Sequence, residues 1–140
     1  MHPYVAESSR LYLQELNEEI HLQTYHALMS NEKSMMWSTK HATTSVEESR
    51  QQLRGRMPTP EKPWNRLWAI MLKNGREEGD GSAKAVHIGN IEMPREAEVG
   101  YRIHPDYWRR GYMSEALAMF IAFWWAEEGM HPRFHFWSYF

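Results

Sequence analysis

Hydrophobic and polar residues alternate in two segments of the chain, and both segments predict half-buried β-strands. The first segment comprises residues 9–16, and its apolar side carries Leu11, Leu13 and Leu16. The second segment, residues 96–103, has the most regular alternation in the sequence. Its apolar side consists of Ala97, Val99, Tyr101 and Ile103.

Three further segments have the composition of strands without a clear alternation. Residues 66–73 and 85–93 are rich in large apolar side chains, which is typical of buried strands. Residues 74–83 between them are charged and rich in glycine, which predicts the turn of a long hairpin. Residues 133–140 predict a last strand.

Apolar residues spaced three and four apart predict helices elsewhere. Asn17 is suited to cap the first helix. The apolar face of this helix consists of Leu22, Tyr25, His26 and Met29. The second helix is expected to start near Thr44, because Thr44 and Glu47 have the spacing of a capping box. The third is expected over residues 112–128, before Gly129, since glycine commonly ends helices.

The element order is therefore β-α-α-β-β-β-α-β, with no internal repeat and no linker. This order predicts a single domain over residues 1–140 of the α/β (α+β) class. Its mixed sheet would combine an antiparallel central meander with a final β-α-β crossover.

Composition and charge narrow the classes of function. The formal net charge is −2, so there is no excess of basic residues of the kind that nucleic-acid binding requires. The sequence has no cysteine, which excludes disulfides and cysteine nucleophiles and favours a cytoplasmic protein. The longest apolar run, residues 116–126, is shorter than the roughly 20 residues of a membrane span. We expect neither nucleic acid nor a membrane as a partner.

The segment from Trp108 to Leu117 is the main candidate for chemistry. It joins a strand to an apolar helix, and a helix N-terminus offers unpaired N–H groups and a positive dipole end to a phosphate. Gly111 lets a ligand approach the backbone closely, and Arg109 and Arg110 add positive charge. A plain strand-to-helix turn with solvated arginines is the alternative.

The sequence EVGYRIHPDYWRRGYMSEAL, from Glu98 to Leu117, resembles the core motif of the GNAT superfamily of N-acetyltransferases. It is most similar to the branch that contains the ribosomal-protein N-acetyltransferases. Residues 9–13, 68–70 and 88–91 resemble the first three strands of that branch in the same order. The resemblance therefore covers nearly the whole chain.

This resemblance implies acetyl-CoA as co-substrate and no metal. The loop over residues 109–114 would hold the coenzyme pyrophosphate with its backbone, and the preceding strand would pair with the pantetheine arm. The residues implied in coenzyme binding are Tyr101, Ile103, Arg109, Arg110, Gly111, Tyr112, Met113 and Ser114. Two of them depart from the branch, since Arg109 stands where it has a glycine and Met113 where it has a small residue.

Acetyl transfer to an amine needs a group that accepts the amine proton. Glu98 lies on the strand face opposite Val99 and is the candidate general base, acting directly or through water. A surface carboxylate is the alternative role for Glu98, and His87 and His104 are alternative bases. With no cysteine to form an acyl-enzyme, direct transfer in a ternary complex is expected.

Three hypotheses follow. The chain is an N-acetyltransferase for a protein α-amine or a small amine, an acyl-CoA-binding module without turnover, or a fragment completed by a partner chain. The resembled family continues beyond its fifth strand with a further helix and strands, whereas this sequence stops at Phe140. We therefore expect a C-terminally incomplete form with weak or absent catalysis. Its last strand would pair with another chain, as in a homodimer, or stay poorly ordered.

Overall fold

The computed structural model describes residues 4–36, 38, 40–73, 85–95, 98–127 and 135–138. The strands are β1 (Ala6–Glu7), β2 (Leu11–Glu15), β3 (Arg66–Leu72), β4 (Val86–Arg95), β5 (Glu98–Ile103) and β6 (His135–Ser138). The helices are α1 (Glu18–Met29), α2 (Val46–Arg54) and α3 (Tyr112–Glu127), with a short 3-10 helix at Pro105–Tyr107. The predicted hairpin turn at 74–83 and the helix stop at Gly129 lie outside the described residues.

The strands form one sheet in the order β1-β2-β3-β4-β5-β6. Each adjacent pair from β1–β2 to β4–β5 is antiparallel, and β6 runs parallel to β5. The predicted mixed α/β sheet, with a meander followed by a β-α-β crossover, is confirmed. The two-residue strand β1 was not predicted, because a segment this short has no readable period.

Helices cover both faces of the sheet, and each face has its own hydrophobic core. On one face α3 packs against the strands, and Phe120 lies fully buried beside Trp68 with ring centroids 5.0 Å apart. On the other face α1 and α2 pack over a second core that contains Tyr25, Leu53 and Ala69. The sheet therefore separates the surroundings of α3 from those of α1 and α2.

Local capping chemistry sets where two helices begin. The Asn17 side chain accepts hydrogen bonds from the N–H groups of Glu19 and Ile20, as predicted for the N-cap of α1. The predicted start of α2 is wrong by one residue, because Ser45, not Thr44, is the N-cap. Its side chain accepts from the Glu48 N–H. The Glu48 carboxylate reaches back to Thr44, so the capping pair is shifted one position along the chain.

One side chain near the end of β2 points to a different face than expected, and one polar side chain of β5 is buried. Leu11 and Leu13 join the core under α3, whereas Leu16 joins the core under α1 and α2, because it lies an odd number of positions from Leu13 and alternation turns it to the face of Tyr12. On β5 the polar side is also covered, since Arg102 is buried and its guanidinium contacts the Met29 sulfur at 3.1 Å.

Candidate functional site

A cleft of about 480 Å³ lies where β5 passes into α3. All of the residues that the resemblance implied in coenzyme binding line this cleft, with the exception of Arg110. The remaining lining residues are Tyr107, Trp108 and Leu117. The fold thus gathers the end of β5, the following loop and the first turns of α3 around one opening.

The loop before α3 has an uncommon backbone conformation. Among the described residues, Arg109 is the only non-glycine residue with a positive φ, at 62°, and Gly111 follows with φ 78°. Glycine adopts this left-handed region without steric cost, whereas a residue with a Cβ is disfavoured there. The two left-handed residues turn the chain from the short 3-10 helix into α3.

The first turn of α3 faces the cleft. The first bond of the helix runs from the Glu115 N–H to the Gly111 carbonyl at 3.1 Å. The preceding N–H groups, of Tyr112, Met113 and Ser114, therefore have no carbonyl partner within the helix, and the positive end of the helix dipole lies beside them. Such a helix start is suited to an anion such as a phosphate.

Trp108 forms one wall of the cleft and is fixed by its own side chain. Its indole N–H donates to the Ile103 carbonyl at 2.8 Å, and the Lys33 ammonium lies 5.2 Å from the centre of its ring. Arg109 and Arg110 are exposed close by. The surroundings of the cleft are therefore rich in positive charge, which complements an anionic ligand.

Glu98 lies apart from this cleft. It stands at the first position of β5, with its side chain about one-fifth exposed, and its Oε2 is 3.2 Å from Nη1 of the exposed Arg95. Val99 beside it is buried in the core under α3, so Glu98 faces the opposite side of the sheet, as predicted. The carboxylate remains reachable from solvent on the α1 side.

The two alternative bases, His87 and His104, do not line the cleft at the start of α3. His87 and His104 line a smaller cavity of about 170 Å³ beside α1. The ring nitrogens of His87 are hydrogen-bonded to the Thr24 hydroxyl at 2.6 Å and the Asn90 amide oxygen at 2.7 Å. Burial lowers the pKa of His87 to about 4. His104 caps the 3-10 helix by accepting the Asp106 N–H at 3.2 Å.

Sequence reasoning missed the residues that support the loop from behind. Arg10 donates from Nη1 to the Arg110 carbonyl at 3.1 Å and from Nε to the Glu115 carboxylate at 2.7 Å. Its guanidinium also lies 4.5 Å from the centre of the Tyr112 ring. In the sequence, Arg10 is visible only as a basic residue before a strand, and Glu115 only as an acidic residue in a first helical turn. Neither residue indicates the other.

The described part of the chain contains neither a metal-binding cluster nor a membrane-spanning helix. No group of three or more histidine, aspartate or glutamate side chains lies close enough there to hold a metal ion. No helix within the same residues is long and apolar enough to cross a membrane.

The mixed α/β sheet, in which α3 lies in the chain between the parallel strands β5 and β6, places the N-terminus of α3 beside the end of β5. The chain belongs to the GNAT acetyltransferase family, because the model of the acetyltransferase (GNAT) domain matches residues 10–138. Members of this family use acetyl-CoA as the acetyl donor. No functionally curated protein matches the chain.

Solved structures agree with this assignment of the fold. The RimL ribosomal L7/L12 α-N-protein acetyltransferase aligns with a TM-score of 0.71 at 18% identity, covering 93% of this chain and 68% of RimL. An acetyltransferase (GNAT family) from Bacillus anthracis aligns with a TM-score of 0.67 at 18% identity. The alignment covers 90% of this chain and 69% of the Bacillus anthracis chain. A GCN5-related N-acetyltransferase from Brucella melitensis aligns with a TM-score of 0.63 at 17% identity. The alignment covers 92% of this chain but only 57% of the Brucella melitensis chain.

Proposed function

We propose that the chain binds acetyl-CoA in the cleft at the start of α3 and transfers the acetyl group directly to an amine. The observation that carries this proposal is the loop over residues 109–114, which presents unpaired N–H groups and a positive helix end to an open cleft. Membership of the GNAT family supports the same donor.

The cleft fits the coenzyme in charge and in shape. The pyrophosphate would lie at the backbone of residues 109–114, where Gly111 adopts the left-handed conformation of the loop at φ 78° without steric cost. Two residues of β5, Tyr101 and Ile103, line the cleft. The pairing of β5 with the described residues of β6 ends at Tyr101. The pantetheine amides would bind along this part of β5.

The transfer step needs a neutral amine. The nitrogen attacks the thioester carbonyl carbon, the C–S bond breaks, and the proton lost by the amine passes to Glu98, directly or through water, while the thiolate is protonated by solvent. An α-amine has a pKa of about 7.7–8.0 against about 10.4 for lysine, so it is deprotonated more readily at neutral pH. We therefore propose a protein α-amine or a small amine of similar basicity as the acceptor, in the cytoplasm.

The solved neighbours support a protein acceptor. RimL is described as an α-N-protein acetyltransferase of ribosomal L7/L12, and one of its structures holds coenzyme A. That RimL complex aligns with a TM-score of 0.71 at 20% identity. We propose protein N-termini as the first acceptors to test. Homodimerisation through β6 stays a prediction, which sedimentation of the purified protein tests.

Calorimetry with coenzyme A tests the binding site. The Gly111→Val substitution places a β-branched side chain at φ 78° and should weaken binding at least tenfold, about 1.4 kcal/mol. Gly55→Ala is the control, because Gly55 caps α2 at φ −71°, away from the cleft. Unchanged affinity in folded Gly111→Val would mean that the coenzyme binds elsewhere.

Met113 offers a second test of the same site. If its side chain crowds the phosphates, Met113→Ala should bind coenzyme A more tightly than the wild type. Equal or weaker binding by the folded variant would show that the larger side chain is harmless.

Turnover separates transfer from binding alone. We expect acetyl-CoA to be consumed faster with peptides carrying a free α-amine than with the same peptides blocked at the N-terminus but carrying lysine. Glu98→Gln should lower kcat without weakening coenzyme binding. Tight coenzyme binding with no turnover on any amine would leave a binding module as the function.

A further inference from the structure

Four side chains form a connected group behind the loop, which we call the Arg10 clamp: Ser8, Arg10, Tyr112 and Glu115. The Glu115 carboxylate accepts hydrogen bonds from the Ser8 hydroxyl at 2.5 Å, the Arg10 N–H at 2.9 Å and the Arg10 Nε at 2.7 Å. The clamp thereby joins the turn between β1 and β2 to the first turn of α3.

Arg10 contacts the residues on both sides of Gly111. Its Nη1 donates to the carbonyl of the preceding residue, Arg110, at 3.1 Å, and its guanidinium lies 4.5 Å from the ring centre of the following one, Tyr112. A Cβ at Gly111 would lie 3.4 Å from its Nη2. The planar guanidinium of Arg10 therefore contacts the carbonyl of the residue before Gly111 and the aromatic ring of the residue after it.

The clamp is more than an exposed ion pair. The Arg10 side chain is 45% exposed, but the Glu115 side chain is only 18% exposed and has three hydrogen bonds. Partial burial acts to raise the pKa of Glu115, yet the hydrogen bonds from Ser8 and Arg10 outweigh it and lower that pKa. Isolated surface pairs contribute little, whereas charge-assisted networks with a planar donor fix geometry.

We propose that Arg10 is a positioning residue for the coenzyme site, holding the loop over residues 109–112 in its anion-accepting conformation before the ligand arrives. This inference rests on the proposed coenzyme site. Arg10 is not among the residues that line the cleft, so it acts through the backbone of the loop. A loop ordered in advance loses less conformational entropy on binding, which increases affinity.

Coenzyme A calorimetry on matched variants tests the proposal. Arg10→Ala should weaken binding about tenfold, and Arg10→Lys, which keeps the charge but loses the planar fork, should weaken it nearly as much. Arg54→Ala is the control, since Arg54 forms an exposed ion pair with Glu18 at 2.9 Å, away from the cleft. Equal affinity of the wild type and folded Arg10→Ala would overturn the proposal.

Glu115→Gln separates positioning from direct contact with the phosphates. This variant keeps the Arg10 cation but loosens the clamp, so a positioning role predicts weaker coenzyme binding. If Arg10 bound the phosphates itself, releasing it from Glu115 would leave the affinity unchanged or raise it, and the positioning role would be refuted.

Hydrogen exchange of the ligand-free protein gives a readout that does not depend on the coenzyme. We expect the amides of residues 109–114 to exchange faster in Arg10→Ala than in the wild type or in Arg54→Ala, with the core strands unchanged. A wild type that bound no coenzyme would refute the proposed function, and the exchange rates would then decide alone whether the clamp holds the loop. Uniformly faster exchange would mean general destabilisation and would refute the specific role.

Discussion

Arg109 occupies a left-handed backbone conformation. The Arg109→Gly variant should therefore be more stable than the Arg110→Gly variant. With φ at 62°, a residue that carries a Cβ costs about 1–2 kcal/mol. Any substitution to glycine also costs about 0.4–1 kcal/mol, because the unfolded chain gains freedom. For Arg109→Gly these two effects oppose each other, so the free energy of unfolding should stay level or rise by about 1 kcal/mol.

Arg110→Gly is the matched control for this prediction. Arg110 does not have a positive φ, it is exposed like Arg109, and each variant removes one cation. Only the glycine cost applies there, so Arg110→Gly should lose about 0.4–1 kcal/mol. The difference between the two variants then isolates the left-handed cost of about 1–2 kcal/mol.

Urea denaturation followed by tryptophan fluorescence measures both variants under the same conditions. The urea midpoint of Arg109→Gly should lie above that of Arg110→Gly. The two slopes of unfolding free energy against urea should be equal, because unfolding exposes the same amount of surface in both variants. If Arg109→Gly were as unstable as Arg110→Gly, the loop would not carry the strain that its backbone angle implies.

Three further predictions concern the sheet, the core and the response to acid. Gly89→Ala should unfold the protein or destabilise it strongly, because a Cβ there would lie 2.3 Å from a carbonyl oxygen of β5, whereas Gly55→Ala should be nearly neutral; thermal denaturation compares them. Phe120→Ala should cost about 3–5 kcal/mol of unfolding free energy, while Trp125→Ala, at a half-exposed position of the same helix, should cost under about 1 kcal/mol. Because burial lowers the pKa of His87 from 6.5 to about 4, the unfolded chain takes up its proton first, and stability should fall as the pH drops between these values. The loss is about 3 kcal/mol, and a His87→Gln variant whose stability fell as steeply over this range would contradict it.

Local patterns predicted the elements that depend on local chemistry. Asn17 caps α1, and α3 begins at Tyr112, as the sequence indicated, because capping and helical periodicity involve neighbouring residues. The start of α2 was displaced since Thr44 and Ser45 both carry hydroxyl groups that can cap, and the choice depends on which one aligns with the first turn. Leu16 was assigned to the wrong face, although it lies three positions after Leu13 and strict alternation puts it on the side of Tyr12.

The candidate site also contains residues that the local sequence predicts and residues that it does not. All of the residues that line the cleft lie within one continuous segment, from Tyr101 to Leu117, so most of them could be predicted from the motif. The Arg10 clamp could not, because 105 residues separate Arg10 from Glu115 and no spacing rule connects them. Glu98 was placed on the correct face by alternation, but its role as a base stays a prediction.

The hydrogen bond between Ser8 and Glu115 spans 107 residues, and this separation bears on the order of folding. During synthesis at about 5–20 residues per second, about 5–20 seconds pass between the appearance of the two partners. The antiparallel pairing of β3, β4 and β5 involves much nearer segments and has a smaller loop-closure cost. The loop before α3 should therefore reach its final shape late, after the main folding barrier. Added coenzyme would then slow unfolding without speeding refolding.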